Sequence, residues 1–328
     1  MLNSSAMTRV SVVIPVYNGA ATIGRAVASV LAQEVDGAVE TIVVDDGSTD
    51  ETRAILRGFG DRIRVIFQPN RGPAAARNAG ARLATGAYLA FLDADDEWLP
   101  AKLARTVPAL ESRPQAVLVF SDAIPVDAAG NQTAPSYVTP ACARAPALAD
   151  LLERWWPIIP STAVMRREVF LAIGGFVEEF RSAAYEDPFL FIVMRERGEF
   201  AYVPERLARY RCASPGARME KYLPHQEIFI RRLRERYGDA ARGLIHGVRG
   251  AAASAWGYEG LAALHAGDRR TARQYFLRAI RTRPFNLKMT LRLIRTFMPT
   301  AIARALSGRT GRGARCCRHG RPSGQARG

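Results

Sequence analysis

Two rhythms of apolar residues alternate along the first hundred positions. Residues 10–16 form a nearly unbroken apolar run, the pattern of a strand buried on both faces of a parallel sheet. Residues 21–33 then carry Ile23, Val27, Val30 and Leu31 at helical spacing. Residues 40–44 read as a second strand, followed by an acidic loop and a helix through Phe59. Residues 62–67, 73–83 and 87–92 read as strand, helix and strand. Short connections between alternating strands and helices predict right-handed crossovers and a doubly wound α/β sheet. Ligands of such sheets sit beyond the carboxyl ends of the strands.

From about Val117 the pattern loosens. Residues 116–120, 158–165, 201–203 and 207–210 are strand candidates, and 122–139 read as a loop or hairpin around Gly130-Asn131. Helices are expected near 166–172 and 186–197, and the chain reads as helical from beyond Met219 to about Leu306. Residues 308–328 are rich in Gly, Arg, Pro and Ser without apolar periodicity, which predicts a disordered basic tail. Three parts are therefore expected: an α/β domain over 1–215, a helical extension over 216–307, and the tail.

Charge sharpens this division. The 328 residues carry 46 Lys and Arg against 31 Asp and Glu, a net of +15. Residues 1–210 hold 21 basic and 25 acidic side chains, whereas 211–328 hold 25 and 6, so the excess lies in the last third. Only three of the basic residues are Lys, a bias that weakens any argument from Arg counts alone. The four cysteines show no framework spacing and no CxxC, as expected for a reduced, cytoplasmic chain. No signal-peptide pattern follows the first apolar run, and no apolar stretch nears the roughly 18 residues needed to span a bilayer. Any membrane contact is expected to be peripheral, at the inner face of the plasma membrane.

The candidate chemistry gathers at strand ends. The first strand closes on Pro15-Val16-Tyr17-Asn18-Gly19, where a flat aromatic can stack on a nucleobase or merely mark a strand–turn–helix junction. The segment lacks GxGxxG, which counts against a nicotinamide or flavin enzyme. The second strand closes on Asp45-Asp46-Gly47-Ser48-Thr49-Asp50. Ser48 and Asp50 suit helix capping, leaving Asp46 as the functional candidate. The fourth strand closes on Asp93-Ala94-Asp95-Asp96-Glu97, and four acids directly after a buried run are costly without a cation. Mg²⁺ and Mn²⁺ bind through one or two such carboxylates plus substrate phosphates.

In order and spacing, residues 11–18, 43–50, Ala75-Ala76-Arg77-Asn78-Ala79-Gly80 and Leu92-Asp93-Ala94-Asp95-Asp96 resemble glycosyltransferase family 2. The resemblance is strong over 9–110 and weaker to about 210. It implies a GT-A-type doubly wound mixed sheet flanked by helices, with an all-helical C-terminal extension here. It also implies a nucleotide-diphosphate sugar donor, most simply a UDP-sugar, a divalent Mg²⁺ or Mn²⁺ at a DXD-type motif, and inversion at the anomeric carbon. Pro15, Tyr17, Asn18, Asp46, Gly47, Arg77, Asn78 and Asp93 would then form the nucleotide-sugar site. Asp93 and Asp95 would approach the metal, with Asp96 able to replace one of them. Inverting transfer needs a base for the acceptor hydroxyl. Asp187 in Glu186-Asp187-Pro188 resembles the family's base, with Glu186 as its alternative, although an N-cap role for Asp187 competes. Gly174-Gly175-Phe176 resembles the acceptor-side loop, and Trp155-Trp156 either stack on an acceptor or pack at the sheet edge. The implied acceptor is a cell-envelope glycan or its lipid-linked precursor.

The basic third has its own patterns. Trp256, Gly260, Gly267, Ala272, Phe276, Ala279 and Pro284 have the spacing of one tetratricopeptide-like helical hairpin. After it, Leu287, Leu291, Ile294 and Met298 share one helical face, and Lys288, Arg292 and Arg295 another. Such a helix either meets an anionic membrane or packs its apolar face on the hairpin. Two other functions compete with transfer: nucleic-acid binding through the basic third, and a scaffold that keeps the fold without catalysis. The first lacks a recognisable module or a stacking-aromatic pattern, and the intact acidic motifs argue against the second.

Overall fold

The computed structural model describes residues 8–181, 185–212, 225–284 and 287–297. The chain alternates strand and helix through β1 (Thr8–Val16), α1 (Ile23–Leu31), β2 (Ala38–Asp45), α2 (Thr52–Arg57), β3 (Arg64–Phe67), α3 (Pro73–Leu83) and β4 (Tyr88–Phe91). There follow β5 (Glu97–Trp98), α4 (Lys102–Glu111), β6 (Ala116–Val126), α5 (Leu148–Glu153), β7 (Ala163–Arg166), α6 (Arg167–Ala172), α7 (Glu186–Arg195) and β8 (Glu199–Arg211). Four further helices, α8 (Gln226–Tyr237), α9 (Arg242–His265), α10 (Arg269–Thr282) and α11 (Leu287–Arg295), are the last described elements.

The strands form one eight-stranded sheet in the order β3-β2-β1-β4-β7-β6-β8-β5. The first four are mutually parallel, β7 runs antiparallel to both β4 and β6, and β8 is parallel to β6. The chain leaves β1 toward β2 and β3 on one side, then returns to place β4 on the other. That reversal is where doubly wound sheets open a ligand crevice. It also brings the ends of β1, β2 and β4 to one edge.

The continuous apolar runs have the expected cause. In β1, Val12, Ile14 and Val16 enter a core roofed by α1 and α4, while Val13 enters a second core under α3, α7 and α8. Both faces are covered, so alternation is not required. Helix α3 sits unusually close to the sheet because Gly80 faces Val13 and Val44. A Cβ there would lie 2.4 Å from Val13 Cγ1.

Several elements depart from the sequence expectations. Strand β6 continues through Val126, past the predicted break at residue 122. The buried Asp122 carboxylate accepts the N–H groups of Tyr137 (3.1 Å) and Val138 (2.9 Å) and so folds the following loop back onto the strand. The two predicted strands at 201–203 and 207–210 are one element, β8. By contact density the chain divides into two units, Met1–Val248 and Arg249–Gly328, so that the helices over 226–248 go with the sheet. The physical reason is that Phe229, Ile230, Leu233, Leu244, Ile245 and Val248 are buried in the second core of the first unit.

The second unit contains the expected hairpin. Gly260 lies against Phe276, which a Cβ would meet at 2.6 Å, and Trp256 stacks on Tyr275 with centroids 5.7 Å apart. Asp268 caps α10 by accepting the Thr271 N–H at 3.0 Å. Met289 and Leu293 of α11 pack on this hairpin, whereas Leu287, Leu291 and Ile294 are exposed. Met298 and the predicted tail at 308–328 lie outside the described residues. Among the described residues no helix is long and apolar enough to cross a membrane.

Because Val13 is a stiff β-branched residue in a covered strand, Gly80→Ala cannot be absorbed by a rotamer change. We expect a loss of about 1–3 kcal/mol, read as a lower urea midpoint with an unchanged slope. An unaltered midpoint would show that α3 is free to lift from the sheet.

Candidate active site

The site begins with a latch between two strand ends. Asn18, which follows β1 by two residues, adopts φ of 50°, a conformation Asn tolerates better than most side chains. Its N–H donates to Ser48 Oγ (3.0 Å), and its Oδ1 accepts the Thr49 N–H (2.8 Å). Gly19 N–H donates to Thr52 Oγ1 at 2.9 Å, extending the latch to α2. Tyr17 is left half exposed beside Pro15 at the mouth of the resulting cleft.

The adjacent acids at the end of β2 divide their tasks. Asp45 is buried, accepts from Ser48 N–H (2.8 Å) and Arg53 Nε (2.7 Å), and is structural. Burial raises its pKa, but the Ser48 and Arg53 hydrogen bonds outweigh this and hold the carboxyl below its ordinary range. Asp46 instead organises residues 68–72. It accepts from Gln68 Nε2 (2.7 Å), Arg71 N–H (2.9 Å) and Gly72 N–H (2.8 Å) while lining the cleft. Gly47 has φ of 85°, and a Cβ would stand 2.9 Å from Asn70 N, so glycine permits the close approach of that loop.

The cleft measures about 470 Å³ and is lined by Pro15, Tyr17, Asn18, Asp46, Arg77, Asp93 and Asp95, among others. That volume lies in the usual range for small-ligand sites. Asn70 and Arg181 also line it, though nothing in the sequence singled them out. Gly47, Asn78, Asp96, Glu186 and Asp187 do not.

Asp96 and Asn78 have other partners. The Asp96 carboxylate is buried and accepts the Ser161 hydroxyl (2.6 Å) and the Arg211 N–H (2.8 Å). Burial first, then the neighbouring Asp93 and Asp95, push its pKa well above the ordinary range. Ser161 Oγ also accepts the Asp93 N–H at 3.1 Å, so one unremarked serine shapes the acidic loop. Asn78 grips the backbone of Phe176: its Oδ1 accepts Phe176 N–H and its Nδ2 donates to Phe176 O, both at 2.9 Å. It is a strut for the Gly174-Gly175-Phe176 turn. Trp156 is likewise core, between Arg144 and Arg154, whereas Trp155 is exposed with its ring 6.2 Å from Tyr185.

Beneath the cleft lies Arg77, buried on α3. Its Nη2 is 2.6 Å from Asp93, and its Nη1 is 3.2 Å from Glu186 and 3.7 Å from Asp187. The guanidinium carbon also sits 5.2 Å from the centre of the Phe176 ring. Arg77 thereby joins the cleft to the first turn of α7. Asp187 Oδ1 is buried without a hydrogen bond, yet 24% of the side chain stays open to solvent. Burial, followed by Glu186, raises the Asp187 pKa well above the ordinary carboxylate range; Arg77 opposes that rise and Asp93 adds to it.

As a metal centre, the arrangement fits in part. Asp93 and Asp95 offer hard oxygen donors to the cleft, while Asp96 does not. Among the described residues no cluster of three or more His, Cys, Asp or Glu is arranged to hold an ion. Two carboxylates suit a Mg²⁺- or Mn²⁺-type ion that takes its remaining ligands from substrate phosphates.

The Glycosyl transferase family 2 model matches residues 11–174, half of the chain. Among curated relatives, an uncharacterized glycosyltransferase of Nostoc sp. is 45% identical over 108 residues. The succinoglycan biosynthesis protein ExoU of Rhizobium meliloti is 42% identical over 106. These stretches cover 31–32% of this chain, and the chain spans only 30–33% of those relatives' length. Among solved structures, S. aureus TarS 1–349 in complex with UDP superposes with a TM-score of 0.58 at 18% identity, covering 94% of this chain and 93% of that one. The mannosyltransferase PcManGT of Pyrobaculum calidifontis, with GDP-Man and Mn2+, gives 0.55 at 20% identity, covering 94% and 91%. At such identities the likeness is one of fold, and it agrees with the GT-A-type mixed sheet expected from the motifs.

Asn78→Ala leaves Phe176 N–H and O unpaired in a buried turn. We expect a stability loss of about 1–3 kcal/mol in urea unfolding, with any thermal shift produced by UDP retained. Unchanged stability with a lost UDP response would return Asn78 to the nucleotide site.

Proposed function

The chain belongs to glycosyltransferase family 2, and on that footing we propose that it moves a sugar from a nucleotide-diphosphate donor to an acceptor hydroxyl with inversion at the anomeric carbon. The observation that carries this reading is Arg77, whose guanidinium joins Asp93 at the cleft to Asp187 at the head of α7. Inverting displacement needs the base and the leaving diphosphate on opposite sides of one reacting carbon. A short bridge between the donor cleft and a carboxylate beyond it supports that geometry.

Each residue then has a task. Tyr17 offers its exposed ring to the nucleobase, and Asp46 stands at the same end of the cleft with its loop already ordered. Asp93 and Asp95 would hold Mg²⁺ or Mn²⁺, which when bound neutralises charge developing on the diphosphate. Asp187 accepts the acceptor hydroxyl proton as that oxygen attacks. Glu186, buried against Arg77, keeps the guanidinium in place instead of meeting substrate. Trp155, beside Tyr185, is the exposed aromatic on the acceptor side.

A UDP-sugar donor is supported by TarS structures in complex with UDP and UDP-GlcNAc, although the mannosyltransferase neighbour holds GDP-Man. The acceptor in this reading is an envelope glycan or its lipid-linked precursor; relatives named for succinoglycan biosynthesis, ExoU and ExoO, support the glycan part of it.

Asp187→Asn keeps the shape and removes the base. Transfer should fall by roughly 10²–10⁴-fold while nucleotide-sugar binding is retained. Because a base works only when deprotonated, the parent's kcat/KM should drop on acidification through a pKa above the ordinary carboxylate range. Turnover by the variant at the parent's rate would remove Asp187 from the mechanism. Separately, Asp95→Asn should abolish the extra thermal stabilisation that Mn²⁺ adds to a bound nucleotide sugar, and an undiminished Mn²⁺ response would place the ion elsewhere.

A further inference from the structure

Residues 249–328 contain 17 Lys and Arg and only two acids, Glu259 and Asp268, for a net of +15. Residues 1–248 carry 29 of each sign and sum to zero. The whole charge imbalance of the chain therefore belongs to the second unit.

Within that unit α11 has two apolar sides. On one, Met289 and Leu293 pack against the hairpin, with Met289 seated where a Cβ on Gly257 would come within 2.4 Å of its Cε. Just beyond the helix, Thr296 is buried and accepts from Arg273 at Oγ1 (3.2 Å) and at its carbonyl (3.0 Å). These contacts fix which way the helix faces. Leu287, Leu291 and Ile294 follow one another at four- and three-residue steps, about half a turn from the packed side. They are 69%, 57% and 47% exposed. By register, Lys288 and Arg292 fall on a flank between the two apolar sides, with Arg292 Nη1 3.8 Å from Met289 Sδ.

We propose that the Leu287–Leu291–Ile294 face of α11 docks on an anionic lipid bilayer. Aliphatic side chains held outward by a packed helix enter the acyl boundary, and flanking cations meet headgroup phosphates. The charge of the unit is complementary to such a surface. The same charge opposes a second copy of this chain at that face, since two +15 units repel. Aliphatic side chains also lack the flat faces on which nucleic-acid bases stack. This docking surface is built from the second unit's own residues, and it holds whether or not the cleft transfers sugar.

The test is co-sedimentation of the full chain with phosphatidylcholine vesicles, with and without phosphatidylglycerol. The parent should sediment with the anionic vesicles only, and less so as salt is raised. Leu287→Ser/Leu291→Ser/Ile294→Ser should weaken that binding at least about tenfold, with the nucleotide-sugar thermal shift unchanged. Leu291→Trp, a single change at an exposed position, should show a blue shift in emission over the parent when anionic vesicles are added. Four results overturn the proposal. The parent does not bind the vesicles, or the triple variant binds as the parent does. Alternatively, the parent is a dimer that the triple variant abolishes, which assigns the face to a second copy. Finally, Leu291→Trp emission is already blue-shifted without lipid, which means that the chain's own residues cover the face.

Discussion

A buried guanidinium shared by three carboxylates is the interaction on which the rest of the site depends. Arg77 is 2% exposed, and a cation so placed is tolerated only when neutralised in good geometry. Asp93 reaches it from the loop after β4, and Glu186 and Asp187 reach it from the first turn of α7. Partners 16 and 109 residues from Arg77 along the chain are thus held at one point. The small residues of α3 make this possible: Ala74, Ala76 and Gly80 let the helix lie close on β1 and β2, which lowers Arg77 into the sheet edge.

The cluster has more negative than positive charge, and that imbalance is where structure turns toward chemistry. Asp187, buried beside Glu186, is held less acidic than an ordinary carboxyl. A base poised nearer neutrality transfers a proton with better driving force. Meanwhile Ser161 holds Asp96 inward, so that of the acids in the loop after β4 it is Asp93 and Asp95 that line the cleft. One serine hydroxyl therefore separates two acids that face the cleft from one that supports the fold.

Much of this was legible in the sequence, for reasons that can be named. Strands β1, β2 and β4 were readable because both faces of each are covered, which leaves unbroken apolar runs. Helix α3 was readable to its ends because Gly72 and Pro73 punctuate its start. Strand β5 has two residues, and α4 hides its amphipathic pattern behind a buried Lys102 and an internal Pro108, so neither was. For Asp96 and Asn78 an acid or amide in a motif looks alike in sequence whether it meets ligand or scaffold. What decides is a partner 65 residues away for Asp96 and 98 for Asn78, and local pattern carries no trace of it. The same holds in α11, whose stripe of Leu287, Leu291 and Ile294 was visible, while Met289 and Leu293 gave no sign that the opposite side would do the packing.

The central claim is that Arg77 supplies the positive charge that lets Asp93, Glu186 and Asp187 coexist. Its most direct test is the urea stability of Arg77→Gln against that of the parent from pH 5 to pH 8. Without the cation the carboxylates repel one another unopposed in a buried place, so ionising the cluster disfavours the folded state. The folded state then binds more protons than the unfolded one, so the variant's stability falls as pH rises. The deficit should widen with pH and reach about 3–5 kcal/mol near pH 8. A deficit independent of pH, or none, would contradict the claim.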